Sequence, residues 1–196
     1  MLKNQLAAFT IVTALTSFTA LAQEDYTRFK SDVSAQALGS FVKHTTENGV
    51  DQGATESAGA LATYRYYFSR HHGVEANYSW TSNTQTYTGF GMDTTSREIS
   101  AAYVSRVPLK RWSPFALPGA GALIFNPQNF AGANTQTRAA FVYGAGADVN
   151  LTNHLFVRGE YREFVYDSPA FDLAGLNGLD RVTHRAGPSI GFGWRF

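Results

Sequence analysis

The chain has 196 residues, with sixteen Lys and Arg, fifteen Asp and Glu, and no Cys. That length allows one domain with a sizeable core. The missing cysteines exclude disulfides and thiolate metal sites, and the near-zero net charge excludes a surface built to hold a nucleic-acid backbone.

Residues 1–22 differ from the rest. Lys3 is their only charge, an apolar run follows from Leu6 to Leu21, and the stretch closes on Ala20-Leu21-Ala22. This is the pattern of a secretory signal peptide cleaved between Ala22 and Gln23. Residues 23–196 then form the mature domain, with no stretch approaching 18 consecutive apolar residues. Its high content of Tyr, Phe and Gly favours sheet over helix.

The mature part divides into segments of alternating polarity, the period-2 signature of strands. In order these run over about residues 32–42, 56–68, 73–81, 95–107, 114–125, 137–151, 154–166 and 183–196. In the first, Val33, Ala35, Ala37 and Phe41 share one face, opposite Asp32, Ser34, Gln36 and Ser40. In the second, Tyr64, Tyr66 and Phe68 lie opposite Thr63 and Arg65. The third sets Val74, Tyr78 and Trp80 against Glu75, Asn77 and Ser79. The fourth sets Ile99 and Tyr103 against Glu98, Ser100 and Arg106. The fifth is Gly-rich, with Phe115, Leu117, Leu123 and Phe125 on one face. The sixth places Phe141, Tyr143 and Val149 opposite Gly144, Gly146 and Asp148. The seventh places Val157, Tyr161 and Val165 opposite Arg158, Glu160 and Arg162. The eighth places Ile190, Phe192, Trp194 and Phe196 opposite Arg185, Ser189, Gly191 and Arg195. Pro118 and Pro188 fall inside strands, where each removes a ladder donor, and local bulges are expected there.

Connections one, three, five and seven are long: 44–55, 82–94, 126–136 and 167–182. The second, fourth and sixth are short: 69–72, 108–113 and 152–153. In an up-and-down meander alternate connections lie at one end, so all the long loops emerge on one side. Transmembrane barrels show this asymmetry. The fold expected is an all-β, eight-stranded antiparallel up-and-down transmembrane barrel.

Lipid is then expected outside. The polar faces carry Arg65, Glu75, Glu98, Arg106, Asp148, Arg158, Glu160, Arg162 and Arg185, which inside a barrel would form an ion-pair network, because buried charges must be paired. The apolar faces carry aromatics toward strand ends: Tyr64, Tyr66, Phe68, Trp194 and Phe196 on the turn side, and Tyr78, Trp80 and Phe125 on the loop side. Glu163 has lipid-face parity, near a strand end, where a charge costs little.

The closing octapeptide Ser189-Ile190-Gly191-Phe192-Gly193-Trp194-Arg195-Phe196 resembles the C-terminal signal of bacterial outer-membrane barrels, matched at Ser189, Gly191, Trp194 and Phe196. The stretch 141–164, with Tyr143-Gly144-Ala145-Gly146-Ala147-Asp148 and Arg158-Gly159-Glu160-Tyr161-Arg162, is similar to the later strands of the OmpA-like transmembrane domain. The chain stops on the last strand, closer to the stand-alone OmpX-like barrels. The resemblance implies outer-membrane lipid and the barrel-assembly machinery as partners; cell-wall anchoring is not implied.

Catalytic and metal chemistry find little support in the motifs. Lipid A deacylase barrels carry a His-x-Ser pair, and none of the five His residues is followed two positions later by Ser. His71 and His72 are adjacent, so on a strand they point apart, and no third ligand is evident. The expectation is a monomeric, non-enzymatic outer-membrane barrel without cofactor or nucleic acid. Its role would be membrane integrity, adhesion or defence, with a surface partner at the loops. The last loop's Phe171, Leu173, Leu176 and Leu179 would pack over the barrel mouth or, as the alternative, meet a partner. The alternatives are a lipid-modifying enzyme, a narrow pore, or a soluble periplasmic carrier of an apolar ligand.

Overall fold

A computed structural model describes residues 29–43, 45–47, 50–87, 90–128, 134–167 and 182–196. The expected signal peptide and the four apolar residues of the last loop lie outside them. The alternating segments form strands: β1 (Ser31–Val42), β2 (Thr45–Glu47), β3 (Val50–Ala54), β4 (Ser57–Tyr67), β5 (His72–Tyr87), β6 (Phe90–Arg106), β7 (Trp112–Pro127), β8 (Gln136–Asn150), β9 (Leu155–Asp167) and β10 (Val182–Arg195). All pairings are antiparallel. The ring runs β1-β4-β5-β6-β7-β8-β9-β10 and closes where β10 returns to β1, from Asp32↔Arg195 to Val42↔Arg185. Eight strands therefore make a closed barrel, and closure removes the unpaired edges that lipid would not hydrate.

Two of the expected long loops are not loops. β5 and β6 stay paired from His72↔Ser105 out to Tyr87↔Phe90, so residues 82–87 and 90–94 extend the wall as a paired hairpin. Residues 45–47 and 50–54 pair as the β2–β3 hairpin, which joins β5 through Gln52↔Tyr87 and Ala54↔Gln85. Thr, Asn and Gln dominate these stretches. Their polarity hides the strand signal, because outside the membrane neither face needs to be apolar.

The prolines do not bulge. The β7–β8 register runs unbroken from Trp112↔Val149 to Phe125↔Gln136, and β9–β10 is continuous through Pro188↔Tyr161. On the other side, β6–β7 pairing skips from Ala102↔Gly119 to Ser105↔Ala116, and β1–β10 skips from Leu38↔Ser189 to Phe41↔Ala186. A missing N–H thus interrupts one ladder locally without inserting a residue.

The barrel is polar within and apolar without. Arg65, Arg158 and Arg162 are 0% exposed, whereas Ile99 is 56% and Ile190 63% exposed. A soluble carrier needs the opposite arrangement. Toward the turn end the outer face carries Tyr64, Tyr66, Phe68, Tyr103, Trp112, Trp194 and Phe196, suited to the aromatic girdle at a membrane interface.

β7 departs from expectation. Phe115, Leu117, Leu123 and Phe125 point inward, at 5%, 2%, 0% and 1% exposure, so Phe125 is no part of an outer ring. With Tyr67, Val104, Val142, Phe164 and Tyr166 they form a buried apolar cluster. Alternation reveals which residues share a face, not which side that face is on. Glycines make room for the rings: a Cβ on Gly193 would sit 2.1 Å from Phe156 Cζ, and one on Gly146 2.6 Å from Phe115 Cζ.

Ile190→Arg is expected to destabilise the barrel in lipid vesicles by about 2–4 kcal/mol if Ile190 lies near the bilayer midplane. Urea unfolding would measure it. An unchanged midpoint would place that face in water.

Candidate functional site: the charged interior and a polar patch on the wall

Buried charges on the inner faces meet across the lumen. Arg65 Nε donates to Glu75 Oε2 on the neighbouring strand at 2.5 Å, and Arg65 Nη2 donates to Glu160 Oε2 on β9 at 3.1 Å. Arg162 Nη1 donates to Glu98 Oε1 on β6 at 2.9 Å, and Arg185 Nη2 donates to Glu98 Oε2 from the opposite wall at 3.2 Å. Arg162 Nε lies 2.8 Å from Glu160 Oε1, but its N–H does not point at that oxygen, so the contact is an ion pair without a hydrogen bond. The result is one chain of charges, Arg185–Glu98–Arg162–Glu160–Arg65–Glu75, with three of each sign. Hydroxyls complete it: Ser79 and Ser100 donate to Glu98 at 2.8 and 2.7 Å.

A second group lies toward the short turns. Arg158 donates to Asp148 through Nε at 2.7 Å and Nη2 at 3.0 Å, and to Asp32 at 3.1 Å. Arg195 approaches Asp148 at 3.4 Å. Aromatic rings support the guanidiniums, with Arg65 3.9 Å over Phe115, Arg185 4.5 Å over Phe164 and Arg158 4.9 Å over Phe156. Such contacts favour a cation where water is scarce.

Of the nine residues singled out from the sequence, eight enter these groups. Arg106 does not: it makes no ion pair among the described residues, donates to Arg70 O at 3.1 Å and lies 3.5 Å over the Tyr67 ring. Asp32 and Arg195 belong although sequence reasoning left them out. Both had the inward parity, which was the available signal. Ser189 Oγ donates to Gln36 Oε1 at 3.0 Å, while Trp194 and Phe196 project outward.

The wall carries a polar patch of its own. His184 Nδ1 is 2.8 Å from Glu163 Oε1, and Tyr161 Oη donates to Glu163 Oε2 at 3.4 Å. The pair lies in a shallow pocket lined also by Phe41 and Lys43. An acid that orients an imidazole is half of a nucleophile-activating set, but no serine is hydrogen-bonded to His184 among the described residues. At the turn end His72 Nδ1 lies 2.6 Å from Tyr103 Oη and His71 Nδ1 lies 3.1 Å from Arg106 O, so the adjacent histidines have separate partners.

The family model of the outer membrane protein beta-barrel domain matches residues 10–196. The chain belongs to this outer-membrane β-barrel family. Membership implies an outer-membrane location. A comparison with curated proteins finds no match. Solved barrels share the fold. Neisserial surface protein A is 13% identical with a TM-score of 0.65, over 85% of this chain and 97% of that one. OprG of Pseudomonas aeruginosa is 14% identical with a TM-score of 0.61, over 86% and 96%. Ail, the attachment invasion locus protein of Yersinia pestis, is 21% identical with a TM-score of 0.54, over 86% and 99%.

Proposed function

We propose that this outer-membrane barrel is a non-enzymatic surface protein whose loop-side hairpins meet a partner while the wall supports the membrane. The observation that carries the reading is the filled interior. Charged residues from opposite strands bond across it, so the parts left to act are the β5–β6 hairpin and the β2–β3 hairpin beside it. Residues 1–22 would direct export and be removed. Ser189, Gly191, Trp194 and Phe196 would be read by the assembly machinery.

The four long connections hold six Asp and Glu against one Arg. Such a surface attracts cations and repels polyanions. Ail has been solved with the heparin analogue sucrose octasulfate; the acidic loops here argue for a cationic partner instead. Whole cells displaying the barrel are expected to bind decalysine beads more than vector cells do, and heparin beads no more than vector cells do. Glu47→Gln, Asp51→Asn and Asp93→Asn together should reduce the decalysine binding and leave a heat-modifiable barrel. Undiminished binding after these substitutions would count against the hairpins as the contact.

The Glu163–His184 pair favours a second reading, a lipid-modifying enzyme. His184→Gln is expected to leave the lipid A mass profile of expressing cells unchanged. A lost modification would reverse the order of the two readings.

A further inference from the structure

The mouth of the barrel at the short-turn end holds a cavity of about 100 Å³. Arg70 from the β4–β5 turn, Arg106 from the end of β6 and Arg195 from the end of β10 line it, with Tyr67, Ser113 and Asn150. Among the described residues no carboxylate does. Two acids of the interior are already engaged: Asp148 accepts twice from Arg158 and once from Arg195, and Asp32 accepts from Arg158. Arg70 and Arg106 therefore face one small space without an ion-pair partner among the described residues, beside Arg195, which Asp148 holds.

Several donors there are buried and unused. Tyr67 is 1% exposed and its hydroxyl has no partner among the described residues. Arg70 Nε and Nη2 and Arg195 Nε are in the same position. Other contacts fix the geometry around them. Arg106 stacks 3.5 Å over the Tyr67 ring while its Nε donates to Arg70 O, and Arg195 Nη1 donates to Asn150 Oδ1 at 2.6 Å. Unsatisfied buried donors are costly, and converging guanidiniums are the group best matched to the paired oxygens of a phosphate.

We propose that this cavity is an anion site for a phosphate group presented at the periplasmic mouth, bound by Arg70 and Arg106 with Tyr67 Oη and Arg195 Nε as further donors. A phosphate oxygen would satisfy the tyrosine hydroxyl, and its charge would offset the mutual repulsion of the arginines. The site lies apart from the interior ion-pair chain and from the outer hairpins, so its occupancy is independent of the surface role.

Isothermal titration of the full mature chain with inorganic phosphate tests it, first in sugar-headgroup micelles free of phosphate and then in phosphatidylglycerol vesicles. Saturable binding is expected in micelles. Its persistence in vesicles would assign a soluble phosphate, and its loss there a lipid headgroup; either supports the site. Arg70→Gln and Arg106→Gln should each weaken binding at least tenfold and Tyr67→Phe a few-fold, whereas Arg138→Gln, at the other end, should change nothing. Heat-modifiability on gels confirms that each variant is folded; Arg70 is in a turn and gives the safer test. No saturable heat in micelles, or equal affinity in Arg70→Gln and Arg138→Gln, would overturn the proposal. So would binding that appears only after Glu24→Gln and Asp25→Asn, because the chain's own carboxylates would then be the occupant.

Discussion

Glu98→Ala is expected to lower the unfolding free energy of the barrel in lipid vesicles by about 3–5 kcal/mol, the cost of leaving a buried charge without its partner. Guanidiniums from β9 and β10 converge on Glu98, and it also accepts from Ser79 and Ser100. Among the described residues, removing it leaves Arg185 with no ion-pair partner and Arg162 with only the poorly aligned Glu160. Arg185→Met should cost less, because Glu98 keeps Arg162 and both serines. Urea unfolding of the two variants therefore has an expected order. Equal midpoints, or Arg185→Met as the weaker protein, would show that the interior does not depend on Glu98 in this way.

A methyl group at position 191 should be nearly as damaging, for a steric reason. A Cβ on Gly191 would sit 2.0 Å from Ala35 O and 2.5 Å from the Gln36 Cα, both backbone atoms of the strand that closes the ring. Backbone at a sheet seam cannot swing aside as a side chain can. Gly191→Ala is thus expected to cost about 3 kcal/mol, the upper end for overpacking. Gly187→Ala on the same strand is the control. Its Cβ would meet nothing nearer than Leu38 Cδ1 at 3.4 Å, an ordinary contact. Refolding into detergent, without any assembly machinery, isolates packing from recognition of the terminal strand. A Gly191→Ala barrel as stable as Gly187→Ala would mean that the β1–β10 seam can widen.

The same two residues show what was legible beforehand. Glu98 was readable as an inward charge from its position opposite Ile99 and Ala101. Its partners were not, because Arg162 and Arg185 lie 64 and 87 residues further along the chain and reach it across the lumen. Arg106 had the same parity as Glu98 and yet pairs with a ring and a carbonyl, because at the end of β6 no carboxylate of the described residues comes within reach. Asp32 and Arg195 are direct neighbours at the seam between first and last strands. That adjacency exists only once the sheet closes. Residues 45–54 and 82–94 read as loops because alternation is a record of unlike environments on the two faces, and those strands lie beyond the part of the wall where the faces differ.

By itself, the amino-acid sequence determined the eight strands of the ring, the alternation of faces and the asymmetry of the connections, since a period of two residues and a polar break are local properties of the chain. Only the tertiary structure decided which way the β7 face points, which charges meet, and where the arginines of the short-turn mouth converge. Those outcomes depend on the stagger of eight strands around a closed ring and on the volume left inside it. Neither quantity is written in any one segment.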